Sequence, residues 1–449
     1  MATQQKQRGN FVAIITMFAL YGMVGFVTNL AAPVGKVWMR QPGISDTMSM
    51  LGNLMNFVPY LIMGIPAGKL LTKIGYKATA LWAIAIGFVG LTVQLVSGNV
   101  FEGATVCGVP TAFYIYLLGA FVCGFCVCML NTVVNPMLNT IGGGGKRGNA
   151  LNTTGSSLNS LACTLAPILV GAMAGDVTKA KFSDLNSVML VALGIFLFSF
   201  IVIAFLRMEN PQTARSAVVF ERSPLAFRHC LLGVVGILAY MGVEVGIPNV
   251  LNLWFEQVPA VAKEVCSWNV GFKTNPAEVV AAVGGAVVGT YWFLMLVGRL
   301  VGGIWIAKYV SSRTMLAFCA AGALVFIGLG VLTQGVKISM PVFSVDTGFA
   351  IVTVPATAMF FVLCGLCTSV MWAGVFNLAV EGLGKYTEKA SGIFMTMVIG
   401  GGVLPLLQTK IAGSFGYMVS YLVPGICLAY MLCYALFFSK NVNTDIKVD

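Results

Sequence analysis

The chain has 449 residues, of which 58% are hydrophobic and 9% are charged. A soluble globular surface carries about 25% charged residues, so a water-exposed fold is excluded and most of the surface must face hydrocarbon. The net charge of +11 does not point to nucleic acid, because the basic residues fall in short loops between apolar runs and not on one stripe or tail.

In chain order, the polar start Met1 to Arg8 leads into an apolar run that continues past a signal-peptide core. It is expected to stay as a first membrane helix. Apolar runs then recur at 10–32, 49–71, 76–97, 111–138, 149–173, 185–206, 227–254, 279–305, 313–334, 348–376, 388–408 and 415–438. Each is near or above the ~20 residues that a helical span needs. Twelve spans give an all-α membrane protein with both ends on one side. With that side inside, eighteen basic residues lie on inner segments, among them Lys69, Lys73, Lys77, Arg299, Lys308 and Arg313. Eight, such as Lys36, Lys263 and Lys410, lie on outer ones. The excess of Lys and Arg marks the cytoplasmic side, so both termini are expected there.

The longest inner loop, 207–225, splits the chain into an N-terminal six-helix bundle at 1–206 and a C-terminal one at 226–449. The halves look related. Gly64 and Gly68 precede a basic turn at Lys69 to Lys77, and Gly298 and Gly302 precede another at Lys308 to Arg313. Gly142 to Pro167 and Gly382 to Pro405 frame helices five and eleven with nearly matching spacing. Parallel repeats place a substrate site near the bilayer midplane, between the halves.

Polar residues inside the spans are the candidates for that site. Glu244 is the one carboxylate expected deep inside a span, where a charge is expensive and functional by default. It could carry a proton, bind a coupling cation, accept sugar hydroxyls, or serve as a structural acid. Asn131 and Asn135 share a face of helix four, and Asn152, Ser156 and Asn159 share one of helix five. Asn29, Asn53 and Asn56 add amides from helices one and two. Amides suit hydroxyl-rich ligands and equally serve as glue between helices. Trp254, Trp292 and Trp372 could stack on a sugar ring, with Trp254 near a helix end where an interface anchor is expected.

Other features carry less. Gly142 to Lys146 lacks the spacing of a phosphate loop, with Thr140 and Arg147 at the wrong positions, and is expected to be a turn. His229 is expected at the membrane interface. Most of the 12 cysteines lie in apolar runs and are expected as small buried hydrophobes. Cys107 and Cys266 fall in outer loops, and whether they pair is left open. No nucleophile, base and orienter recur at enzyme-like spacing, so no enzyme and no cofactor are expected.

Four stretches carry a family resemblance. Gly64-Ile-Pro-Ala-Gly68 with its basic turn, Asn131-Thr-Val-Val-Asn135-Pro136, Gly242-Val-Glu244-Val-Gly246-Ile247 and Gly382-Leu-Gly-Lys385-Tyr-Thr387 are similar to segments of the fucose–galactose–glucose:proton symporters of the major facilitator superfamily. The resemblance spans both halves and implies the major facilitator fold. It also departs from the family. Asn29 stands where an Asp is implied before Pro33, Asn131 replaces the Glu that heads the helix-four motif, and Asn152 replaces a Gln. An amide cannot exchange a proton near neutral pH, so Glu244 is left as the coupling candidate. The resemblance implies an importer of a hexose, deoxyhexose or amino sugar, with a proton or sodium as coupling ion. It implies a monomer in a bacterial inner membrane. Asn29, Asn131, Asn135, Asn152, Glu244 and Trp372 are the expected substrate contacts. The alternative is an exporter of drugs or metabolites on the same fold; a receptor would normally add a soluble domain.

Overall fold

The computed structural model describes residues 2–39, 41–100, 103–142, 145–174, 182–205, 222–269, 276–344 and 348–442. Helix α1 is Ala2–Met39. The stretch Leu51–Ser97 is broken at Gly75, whose φ of +83 suits a residue without a Cβ, into α2 on its N-terminal side and α3 on its C-terminal side. Then come α4, Thr111–Ile141, α5, Gly145–Ala174, and α6, Asn186–Phe205. The second half holds α7, Arg228–Gln257, α8, Pro276–Ile304, and α9, Ser312–Leu332. It ends with α10, Ala356–Val380, α11, Lys389–Phe415, and α12, Tyr417–Phe438.

Eleven helices among the described residues are long and apolar enough to cross a bilayer. The expected fifth span is a helix of 30 residues along which Asn, Ser and Thr recur. Several of its hydroxyls are satisfied locally: Thr154 donates to Ala150 O, and Thr164 to Ser160 O. A polar helix of this kind survives in a membrane by turning these groups to its own backbone and to neighbouring helices.

Most of the expected central loop lies outside the described residues, as do Arg40, Lys179, Lys181, Arg207, Arg215, Lys273 and Lys447 of the loop-charge count. Ser223 caps the turn Pro224–Ala226 that leads into α7.

Two expectations are corrected. The run 348–376 does not begin as a helix: Gly348–Pro355 is strand β4, paired antiparallel with β3, Lys337–Ser344, before α10 starts at Ala356. Pro341 and the alternation of Met340, Val342, Val352 and Val354, all buried, give this stretch a period of two. Arg299 is not a loop residue but a buried one inside α8. His229, at the start of α7 where the sequence placed it, is buried under its neighbours, with Nε2 2.9 Å from Glu381 O. Cys107, at φ +51 in a tight hairpin turn, and Cys266 are both free thiols.

Small residues let the helices close up. At Gly25 a Cβ would sit 2.3 Å from Asn159 O of α5, whereas at Gly22 it would meet nothing within 4 Å. The two halves meet along α2 with α11 and α5 with α8. Asn53 Nδ2 of α2 donates to Gly401 O of α11 at 2.9 Å. That carbonyl is free because its helical donor would be residue 405, which is Pro405 and has no N–H.

Gly25→Val is expected to abolish recovery of folded protein, since it forces α1 and α5 apart. Gly22→Ala should leave thermal unfolding in detergent within a few degrees of the parent. Size-exclusion chromatography with a melting curve on both variants checks this.

Candidate functional site

Between the halves lies a cavity of about 810 Å³, counted with its open side. Its N-terminal wall is built from Tyr21, Asn29, Asn131, Asn135, Ser156 and Asn159. Its C-terminal wall is built from Tyr240, Glu244, Trp292, Arg299 and Trp372.

The N-terminal wall is polar and carries no charge among the described lining residues. The Tyr21 hydroxyl lies 2.6 Å from Asn135 Oδ1 and 2.5 Å from Asn152 Oδ1. Asn152 Nδ2 also reaches Asn135 Oδ1 at 3.2 Å. One hydroxyl proton serves one oxygen at a time, so the three groups form a shared network. Asn131 donates to the Tyr60 hydroxyl at 2.7 Å. Asn135 Nδ2 bonds back to Asn131 O, one turn earlier on α4. Asn29 donates to Gly25 O and to Cys163 Sγ.

The C-terminal wall holds an ion pair. Arg299 donates to Glu244 Oε1 at 2.8 Å, and the two side chains are 8% and 12% exposed. Tyr240 lies beside both charges. A second Arg299 nitrogen donates to Ser156 O of α5 at 2.9 Å. Arg299 therefore holds an acid of its own half and a carbonyl of the other. The backbone at Glu244 is also special. Its carbonyl would pair with residue 248, but Pro248 lacks the N–H. The Tyr291 hydroxyl takes that carbonyl at 3.3 Å and contacts Thr368 Oγ1 at 3.2 Å. Trp372 packs its ring against Tyr240, with centroids 5.9 Å apart.

Of the six expected contacts, Asn29, Asn131, Asn135, Glu244 and Trp372 line the cavity. Asn152 stands behind the wall, joined to it through Tyr21 and Asn135. Asn53 bonds α11 and is glue between the halves. Trp254 is buried and lies outside the cavity lining. Tyr21, Tyr240 and Arg299 were not foreseen. Tyr21 and Tyr240 carry no motif that marks them, each being one aromatic residue within an apolar run. Arg299 was hidden by its place near a helix end followed by basic residues.

A family model, the Major Facilitator Superfamily, matches residues 17–398. The chain belongs to the Major Facilitator Superfamily. Such proteins are membrane transporters and not enzymes. The chain is 29% identical over 452 residues to a glucose/galactose transporter of Brucella abortus, covering 98% of this chain and 96% of that one. It is 27% identical over 456 residues to a putative glucose/galactose transporter of Helicobacter pylori (96% and 98% covered). It is 21% identical to the L-fucose-proton symporter of Escherichia coli over 466 residues, covering 96% and 94%. In fold it is similar to the crystal structure of the Major Facilitator Superfamily transporter FucP in the outward conformation. That match has a TM-score of 0.68 at 16% identity and covers 96% of this chain and all of that one. The resemblance to the fucose–galactose–glucose:proton symporters is borne out by these relatives.

Removing one member of a buried ion pair leaves an uncompensated charge and costs about 3–5 kcal/mol. Arg299→Met alone is expected to lower the melting temperature more than Arg299→Met combined with Glu244→Gln. Melting curves for both single variants and the double variant measure the coupling; additive losses would mean that the pair does not exist in the membrane.

Proposed function

We propose that this Major Facilitator Superfamily protein imports a neutral sugar of the hexose or deoxyhexose class by alternating access, coupled to a proton carried by Glu244. The observation that carries the reading is the make-up of the cavity walls. One wall offers amides and a tyrosine hydroxyl, which donate and accept and so match sugar hydroxyls. The other offers the faces of Trp292 and Trp372, which suit the apolar face of a pyranose ring. The two lining charges neutralise each other, so the site favours a substrate without net charge. This narrows the sequence expectation, which left amino sugars open.

Substrate recognition falls to Asn29, Asn131, Asn135 and Trp372, with Asn152 holding Asn135 and Tyr21 in place. The names of the glucose/galactose relatives support a hexose, and that of the fucose symporter supports coupling to protons. Coupling follows from Arg299. While Glu244 is ionised, the guanidinium is held between the acid and Ser156 O of the opposite half. Protonation removes the charge that holds it there and so loosens a link between the halves. The loop charges support both termini in the cytoplasm, the bacterial relatives support an inner membrane, and a single chain with its own cavity supports a monomer. The chain then divides at the central loop into two six-helix units.

Proteoliposomes with imposed gradients provide the test. Labelled glucose, galactose or fucose should accumulate under an inward proton gradient and not under a sodium gradient of equal size. Glu244→Gln should abolish accumulation and leave downhill exchange within about tenfold of the parent. Asn152→Leu should raise the half-saturating sugar concentration at least tenfold in protein that remains folded. Equal uptake with and without gradients would overturn the coupling, and failure of every neutral sugar to compete would overturn the substrate class.

A further inference from the structure

We propose that the β3–β4 hairpin is embedded in the bilayer leaflet opposite the termini, with its outward apolar face against lipid acyl chains. The argument begins with depth. Helix α9 has 21 residues, about 31 Å, which matches the ~30 Å hydrocarbon thickness. Thr357 Oγ1 donates to Gly330 O at 2.8 Å, so the first turn of α10 is level with the last turn of α9, at the edge of the hydrocarbon. The base of the hairpin is at that level too, because Ala356 N bonds Val336 O at 2.7 Å. The far end is not. Phe343 N bonds Thr290 Oγ1 at 2.9 Å, and Phe343 O lies against Gly289. The next residue of α8, Tyr291, touches α10 at Gly365, nine residues beyond Ala356. At 1.5 Å per residue, Phe343 sits roughly 11 Å below the start of α10. The hairpin folds back along α8 into the membrane.

Its side of α8 faces lipid. Arg299 and Gly303 of that helix meet α5, and Tyr291, Gly298 and Gly302 meet α10. Gly289, Thr290 and Phe293 lie on a different face, which β3 covers. Phe343 stacks on Phe293 with centroids 5.6 Å apart, and Phe349 packs edge-on to both. The inner face of the hairpin is buried. On the outer face Phe349 is 68% and Ile351 75% exposed, values that suit acyl chains.

Open strand edges are disfavoured in hydrocarbon, and several of this hairpin's outward backbone groups are taken or absent. On β3, Phe343 N–H is taken by Thr290, and the next position on that edge is Pro341, which has no N–H. On β4, Asn269 accepts from Thr353 N and donates to Thr353 O.

The test is photolabelling of the intact protein in phosphatidylcholine liposomes with an apolar aryl diazirine dissolved in the lipid, followed by peptide mass spectrometry. Phe349 and Ile351 should be labelled within about threefold of Phe198, an exposed residue of α6. Labelling at background, together with modification by a water-borne hydroxyl radical, would place the face in water and overturn the proposal. Protection from both reagents, with cross-links between copies, would assign the face to a protein partner and overturn it equally.

Discussion

A charge in hydrocarbon must be paired, and much of the interior of this protein is arranged around that requirement. Glu244 and Arg299 lie on separate helices of one half, close enough to neutralise each other. Bringing two ions out of water is expensive, and their attraction offsets this only when the remaining donors are also satisfied. Arg299 meets the condition by bonding a carbonyl of α5. The pair therefore does more than stabilise the C-terminal half. It ties the cavity's chemistry to the contact between the halves, which is the contact that alternating access has to break.

Prolines extend the same logic to the backbone. Each proline within a span releases a carbonyl one turn earlier, and in hydrocarbon that carbonyl needs a donor. Pro248 releases the carbonyl of Glu244, and Tyr291 takes it. Pro405 releases that of Gly401, and Asn53 takes it from the other half. One released group holds α7 to α8 beneath the acid. The other joins α2 to α11. In both cases a local defect in a helix becomes a specific joint between helices.

The halves are related in sequence but not in chemistry. Gly124-Phe-Cys126 of α4 matches Gly365-Leu-Cys367 of α10, and the same alignment sets Asn131 against Trp372 and Asn135 against Phe376. Each wall contributes a tyrosine, yet Tyr21 bonds amides while Tyr240 lies beside charges. One scaffold thus presents a wall of amides and hydroxyls on one side and an aromatic, charge-paired wall on the other.

The sequence by itself determined the membrane class, the alternation of spans and loops, and eight of the cavity residues. These are legible because a long apolar run has few other uses, and because Asn or Glu within one is costly unless it is used. The tertiary structure decided the rest. Whether Asn53 binds substrate or joins two halves depends on which carbonyl lies opposite, and that partner is 348 residues away. Arg299 read as a loop cation because charge near a helix end looks the same whether it faces water or an acid 55 residues earlier. The run from 348 read as helix because a short, mostly apolar stretch fits either period until pairing with 337–344 chooses the strand. Composition and period report what each segment can bury, and only the packed fold reports against what.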